Sequence, residues 1–321
     1  NVSIRLTEAG EHFVDDIISL IFSYIELLKL HPLPEHFYQE KQALAELSFQ
    51  YHEKMKPLDS VCQLVINMQH YPEQDYLFGD YAMDGFNQKL FSKLLANLAA
   101  TNMRYVLISP SIKTEKISRW YQVPYKTSPF TTTQLSQWQN PKLHNDLKLP
   151  PKNQYIVREP VIYAAKSEPN NKPVVPSCIS QDNGFTLWFK QDHTFMVPKG
   201  YIYLGIDSPA TIASTANIAM TRLFVDLYSD AVIEQHYDAE LAGIHYHLYA
   251  HQGGLTLQLS GVSSKQHILL EKLLASLQTF NFSEEKFTLI KYQLINHWKN
   301  ADNSKSISQL FSALSAICQP K

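Results

Sequence analysis

An α+β fold built from duplicated two-layer domains, each an antiparallel sheet covered by helices on one face, is predicted by three features of the 321-residue sequence. First, "IHYHLYA" and "LTLQLSG" alternate apolar and polar residues on either side of "HQGG", the pattern of a half-buried hairpin. Second, several long segments repeat apolar residues at helical spacing. Third, the order strand, long helix, break, helix occurs twice, in "VSIRLTEAGEHFVDDIISLIFSYIELL" with "PEHFYQEKQALAELSF", and again in "LTLQLSGVSSKQHILLEKLLASL" with "SEEKFTLIKYQLINHW". Repetition on this scale means duplicated domains, not a short-period solenoid.

Taken in order, "NVSIRL" reads as an alternating strand and Thr7 as the N-cap of a helix whose apolar face is Phe13, Ile17, Ile21, Tyr24 and Leu28. "HPLPEH" interrupts it, and a second helix is expected over 35–54, with further helices over 58–70 and 86–99. "MRYVLISP" (103–110) reads as a short strand, and the aromatic "RWYQVPY" (119–125) as packing at the end of this region. Residues 126–157, rich in Pro, Thr, Asn and Gln and without a sustained period, read as an interdomain linker. The domains expected are therefore 1–125, a linker over 126–157, and 158–321. In the last of these, "TLWFKQDHTFMVPKGYIYLGIDSP" gives two β-rich runs, residues 215–235 a helix, Ser263 with Gln266 a capping box, and Ser283 the start of a final helix.

Composition narrows the function classes. Hydrophobic residues make up 45% and charged residues 18%, enough to bury sizeable cores. Lys+Arg 28 against Asp+Glu 30 leaves a net charge of -2, with no basic patch interleaved with aromatics, so no nucleic-acid partner is expected. No apolar run approaches the ~18 residues of a spanning helix, and no membrane partner is expected. Cys62, Cys178 and Cys318 are scattered and odd in number, neither a disulfide framework nor a metal knuckle. The opening at Asn1, without methionine or signal pattern, reads as an internal fragment.

His245, His247 and His251 raise the question of a metal, since imidazole is the commonest protein ligand. On a strand, alternate residues share a face. Ile244, Tyr246, Leu248 and Ala250 then form the buried face, and His245, His247, Tyr249 and His251 the polar one. Zinc asks for three or four converging donors. No Cys, Asp or Glu accompanies the histidines on their hairpin, and His251 lies far along the strand, so a polar face without metal is the expectation. "HEKMK" (52–56) lacks the second histidine of H-E-x-x-H, "HPLPEH" (31–36) has one residue too many for H-x-x-E-H, and "EAGEH" (8–12) has Glu8 where a histidine is needed. No G-x-S-x-G elbow, P-loop or G-x-G-x-x-G turn is present, and ten glycines leave little room for phosphate-binding loops. No catalytic residue and no metal ligand can be named from the residues themselves.

The sequence does resemble the pitrilysin/insulinase family of zinc metalloendopeptidases. The resemblance runs through "NVSIRLTEAGEHFVDDIISLIFSYIELL", "RYVLISPSIKTEKISRWYQVPYK" with its "WY…Y" signature, and "PKNQYIV". It is most specific in "LWFKQDHTFMVPKGYIYLGIDSP" and "YDAELAGIHYHLYAHQGGLTLQLSGVSSKQHILLEKLL". It implies the family's metallopeptidase-like roll, four homologous domains in two bowl-shaped halves around a peptide-sized chamber, and this chain as the end of the second domain, the linker and most of the third. It also implies hydrolysis of oligopeptides by a zinc-activated water, with the zinc held by an H-x-x-E-H helix and a later glutamate in the first domain. "IAMTRLFVDLYSDAVIEQH", the third-domain counterpart of that helix, lacks the motif, so no zinc ligand or base carries over.

The resemblance further implies that sheets face the chamber, which makes His245, His247 and Tyr249 candidate substrate contacts. Zinc is then a cofactor of the parent protein and not of this segment, and the segment alone is expected to be inactive. Expected partners are peptide substrates and the remaining domains of the same protein, with homo-oligomerisation left open. Bacterial pitrilysin relatives favour a periplasmic compartment. Two alternatives stay open: a non-catalytic structural or substrate-presenting subunit of the same fold, and an independent His-based metal binder resting on residues 245–251 alone.

Overall fold

The computed structural model describes residues 2–30, 32–163, 175–192, 195–251, 253–279 and 281–318. His31, His193, Thr194 and Gln252, which belong to the sequence motifs, lie outside them. Among the described residues the elements are α1 (Val14–Leu30), α2 (Glu35–Gln50), α3 (Pro57–His70), α4 (Gln88–Ala96), β1 (Lys116–Ile117), β2 (Pro124–Tyr125), α5 (Thr132–Gln139), β3 (Ser177–Asp182), β4 (Phe185–Phe189), β5 (Lys199–Asp207), α6 (Pro209–Ile212), α7 (Thr215–Ile233), α8 (Tyr237–Leu241), β6 (Ile244–His251), β7 (Gly254–Val262), α9 (Gln266–Thr279), α10 (Glu284–Lys299) and α11 (Ser306–Cys318). The α+β class predicted from the sequence is what the chain adopts. Two compact units form, one from Asn1–Gln39 with Met83–Lys152, the other from Glu40–Ala82 with Asn153–Lys321.

In the first unit, Thr7 does cap the chain's entry into a helix: its Oγ1 accepts the Gly10 N–H at 3.1 Å, and a 3-10 turn over Ala9–Phe13 leads into α1. The buried stripe of α1 lies one residue on from the expected one, at Val14, Ile18, Phe22 and Ile25. This helix is apolar most of the way round, so its periodicity alone does not choose a face. Its neighbour does. Trp138 of α5 is 1% exposed, packs with Ile18 and Phe22, and donates its indole N–H to the Asp15 carbonyl at 3.1 Å. That neighbour sits in the stretch whose composition suggests no structure: Thr131 and Gln134 form a complete capping box that starts α5, worth ~1 kcal/mol for the cap alone.

Neither strand expected in this unit forms a ladder. Residues 2–6 and 103–109 have no strand partner among the described residues, and a strand without one is not stable by itself. Alternation survives as geometry: Met103 packs on the core, while Val106 and Ile108 are 86% and 91% exposed. The aromatic run 119–125 is also corrected. It forms the tip of the β1–β2 hairpin, with Trp120 and Tyr121 exposed and Gln122 at φ 53 closing the turn. Adjacent aromatic residues in a tight turn point outward, because so short a hairpin has no interior to receive them.

The second unit holds an antiparallel sheet in the order β5-β7-β6, with β3–β4 a separate hairpin. Buried Ile244, Leu248, Leu257 and Leu259 on one face of the sheet pack against Val225, Tyr228 and Val232 of α7 and Leu269 and Leu273 of α9. Each such fully buried side chain contributes roughly 1.5–3 kcal/mol. Tyr228 reaches through this layer to donate its hydroxyl to the Leu273 carbonyl at 2.9 Å. Ser214 caps α7 and Ser283 caps α10, the second as predicted. Gln266 does not complete a capping box with Ser263. It is 3% exposed, and its amide donates to the Gly200 and Gly261 carbonyls at 2.8 and 3.1 Å, tying α9 to the sheet.

Candidate functional site

The open face of the β5-β7-β6 sheet carries the sequence-predicted contacts His245, His247 and Tyr249. Cross-strand register builds it in rows. Across β6, β7 and β5 the rows are His245–Ser260–Tyr201, His247–Gln258–Tyr203, Tyr249–Thr256–Gly205 and His251–Gly254–Asp207. Directly opposed residues share a face, at about 5 Å between strands and about 7 Å along them. The alternation read from the sequence is therefore correct: His245, His247 and His251 are exposed, while Ile244 and Leu248 are buried against the helices.

Two aromatic side chains that sequence reasoning passed over dominate this face. Tyr201 and Tyr203 are 67% and 61% exposed, and their rings stack with centroids 6.4 Å apart. On the far strand His247 stacks on Tyr249 at 5.5 Å. Their sequence signal was the alternation of "KGYIYLGID", whose apolar partners Ile202 and Leu204 pack on the core. Two residues beyond Tyr203 on the same strand, Gly205 leaves open space, since a Cβ added there would meet nothing within 4 Å. The result is a flat polar-aromatic surface with a shallow gap beside Thr256 and Tyr249. Such a surface offers stacking area and side-chain hydrogen bonds to an extended chain.

Carboxylates do join the histidines, from outside their hairpin. Glu240 of α8 places Oε2 2.5 Å from Nδ1 of His245, and its Oε1 accepts the Tyr246 N–H at 3.4 Å. Asp207 of β5 brings Oδ1 to 3.7 Å from Nε2 of His251, whose Nδ1 accepts the Gly253 N–H at 3.0 Å. These are separate pairs at opposite ends of the strand. Among the described residues no three His, Cys, Asp or Glu converge as a metal would require. The donor set does not fit zinc, and no chemistry is assigned through a metal at this face.

On the buried side, Tyr246 is the strongly perturbed group. Burial first, then the charge of Glu240 and its neighbour Tyr228, push its hydroxyl up to about 12. It serves packing and belongs to the layer under the face.

No helix among the described residues is long and apolar enough to cross a membrane. Residues 49–321 match the family model described as the middle or third domain of peptidase M16. Insulin-degrading enzyme of Homo sapiens is 31% identical over 292 residues, covering 90% of this chain and 28% of that protein. Insulin-degrading enzyme-like 1, peroxisomal, of Arabidopsis thaliana is 28% identical over 320 residues, covering 99% of this chain and 33% of that protein. Its name gives no support to the expected periplasmic compartment. The crystal structure of pitrilysin shares the fold, with a TM-score of 0.75 at 22% identity over 95% of this chain and 32% of that one. The chain thus spans about a third of the length of these relatives. A family-model match that begins at residue 49 and runs to the last residue, together with that fold, means that the chain belongs to the peptidase M16 family, as its middle or third domain.

Proposed function

We propose that the chain is the non-catalytic middle segment of a zinc-dependent metalloendopeptidase that degrades oligopeptides inside an enclosed chamber. The segment supplies chamber wall and the hinge between halves, and residues 126–157 act as the linker between the domains 1–125 and 158–321. The single observation that carries this reading is the match of residues 49–321 to the middle domain of a peptidase family. The zinc and its ligands belong to the parent protein's other domains, and this segment binds none.

The open face of the sheet supports a role in substrate contact. The exposed rings of Tyr201, Tyr203 and His247 and the half-buried ring of Tyr249 form stacked pairs that an unfolded peptide can lie across without sequence-specific pockets. His245 is held by Glu240 and sets the edge of that wall. In the full-length parent, Tyr203→Ala combined with His247→Ala is expected to raise KM for an oligopeptide several-fold and leave kcat nearly unchanged, the signature of uniform binding lost. A photoreactive peptide should crosslink to the same face. Unchanged KM together with crosslinks only elsewhere would reject the contact role. Chelator-sensitive cleavage by the pure 321-residue chain would reject the non-catalytic reading.

A further inference from the structure

His236 stands immediately before α8, with its ring edge-on to Tyr246 at a centroid distance of 5.9 Å. It is 5% exposed, and neither ring nitrogen has a hydrogen-bond partner among the described residues. The hydroxyl of Tyr155, 2% exposed, is likewise unpartnered, and Lys272 Nζ lies 5.5 Å over the Tyr155 ring. Two buried polar groups without partners in one core, beside a lysine, are an exception that asks for a reason.

Tyr155 belongs to a short anchored segment. Asn153 donates its side-chain amide to the Asp238 carbonyl at 2.7 Å and its backbone N–H to Glu40 at 2.9 Å, and its Oδ1 accepts the Tyr155 N–H at 2.9 Å. Tyr155 and Val157 then enter the core beside Ala239 and Ala242. The segment is thus tied to the turn that carries His236.

The charged and titratable groups around this spot leave a protonated imidazole poorly served. Lys272 is already positive, and its charge acts on His236. Glu40 is engaged with Asn153, and Glu240 with His245 and the Tyr246 amide. Asp238 acts on Tyr155 from the same turn, and Tyr155, Tyr228 and Tyr246 are kept neutral by burial. Burial first, then Lys272, hold the His236 imidazole below its ordinary value of 6.5.

We propose that His236 is an acid-sensitive latch: protonating its ring in this desolvated position beside Lys272 releases residues 153–157 from α8 and the core. The sign follows from the lowered value. The opened state takes up the proton more readily, so the latch holds fully above pH 6.5 and weakens as pH falls below it. The closed population therefore falls relative to the open one as the pH drops from about 7.5 to about 5.5.

Backbone hydrogen exchange on the full 321-residue chain, corrected for intrinsic rates, tests this at about pH 7.5 and about pH 5.5. Peptides covering residues 153–157 should lose protection on acidification, while those of α10 hold theirs. His236→Gln, neutral at both pH values, should abolish the response. Equal protection at both pH values overturns the latch, as does a loss spread uniformly over the chain, or an undiminished response in folded His236→Gln. If that variant does not fold, NMR titration of His236 in the unaltered chain decides: a midpoint below 6.5 supports the latch, and one at or above it overturns it.

Discussion

The Glu240 carboxylate bridges two consecutive residues of an edge strand, with Oε2 2.5 Å from Nδ1 of His245 and Oε1 accepting the Tyr246 N–H at 3.4 Å. An edge strand presents unpaired amides, and an acidic side chain seated on one of them discourages pairing with another chain. Glu240→Ala is expected to destabilise the fold by roughly 0.5–1.5 kcal/mol, the scale of a lost hydrogen bond and a mostly exposed ion pair. Urea unfolding measures this, and an increased tendency to associate should accompany it in sedimentation. Stability and association both unchanged would mean that the bridge has no consequence in solution.

Two glycines on the sheet should behave oppositely. Gly261 has φ +109, and a Cβ there would sit 1.9 Å from the Gly243 carbonyl oxygen, a backbone atom that cannot move aside. Gly261→Ala is therefore expected to cost roughly 2–4 kcal/mol, strained backbone plus displaced ladder. Gly205 has open space around its Cβ position, so Gly205→Ala should shift stability by less than about 0.5 kcal/mol. Thermal unfolding of the pair gives the comparison directly, and similar costs for both would contradict the pairing of β7 with β5 and β6.

Tyr246 predicts a pH dependence on the alkaline side. Its folded value is raised to about 12, chiefly by burial, against an ordinary value of 10.0. A raised value means that stability is fully present below pH 10 and is lost as pH rises toward 12, because the unfolded state releases the proton first. Phenolate absorbance should show a late-titrating tyrosine that Tyr246→Phe removes. If the late step persists in that variant, another buried tyrosine is responsible.

Chelation should leave this chain's stability unaltered. The histidine–carboxylate pairs His245–Glu240 and His251–Asp207 sit at opposite ends of β6 and do not converge. The unfolding midpoint after exhaustive treatment with a chelator is expected to match that of untreated protein, with zinc well below one equivalent by elemental mass spectrometry. A drop of several degrees, reversed by added zinc, would restore a metal role for residues 245–251.

The legible and illegible parts of the site divide at the strand. Alternation alone separated His245, His247 and Tyr249 from the apolar Ile244 and Leu248, because a strand's period of two leaves no choice once one face is buried. Glu240 as the partner of His245 and Asp207 as that of His251 were not legible. Each is brought in by a separate element, and only the packing of α8 before β6 and the pairing of β5 with β7 determine that.

By itself, the sequence determined the α+β class, the β6–β7 hairpin with its two faces, the caps at Thr7 and Ser283, and the absence of an intact zinc motif. These are local properties, set by side-chain period, capping chemistry and residue identity. Tertiary structure decided which stripe of α1 is buried, where a helix apolar on several sides takes the face that Trp138 offers. It also decided that residues 2–6 and 103–109 find no strand partner among the described residues, that Trp120 and Tyr121 point outward, and that Gln266 serves the sheet. Each of those depends on a partner distant in the chain, and hydrophobic pattern records which residues seek burial, not which surface receives them.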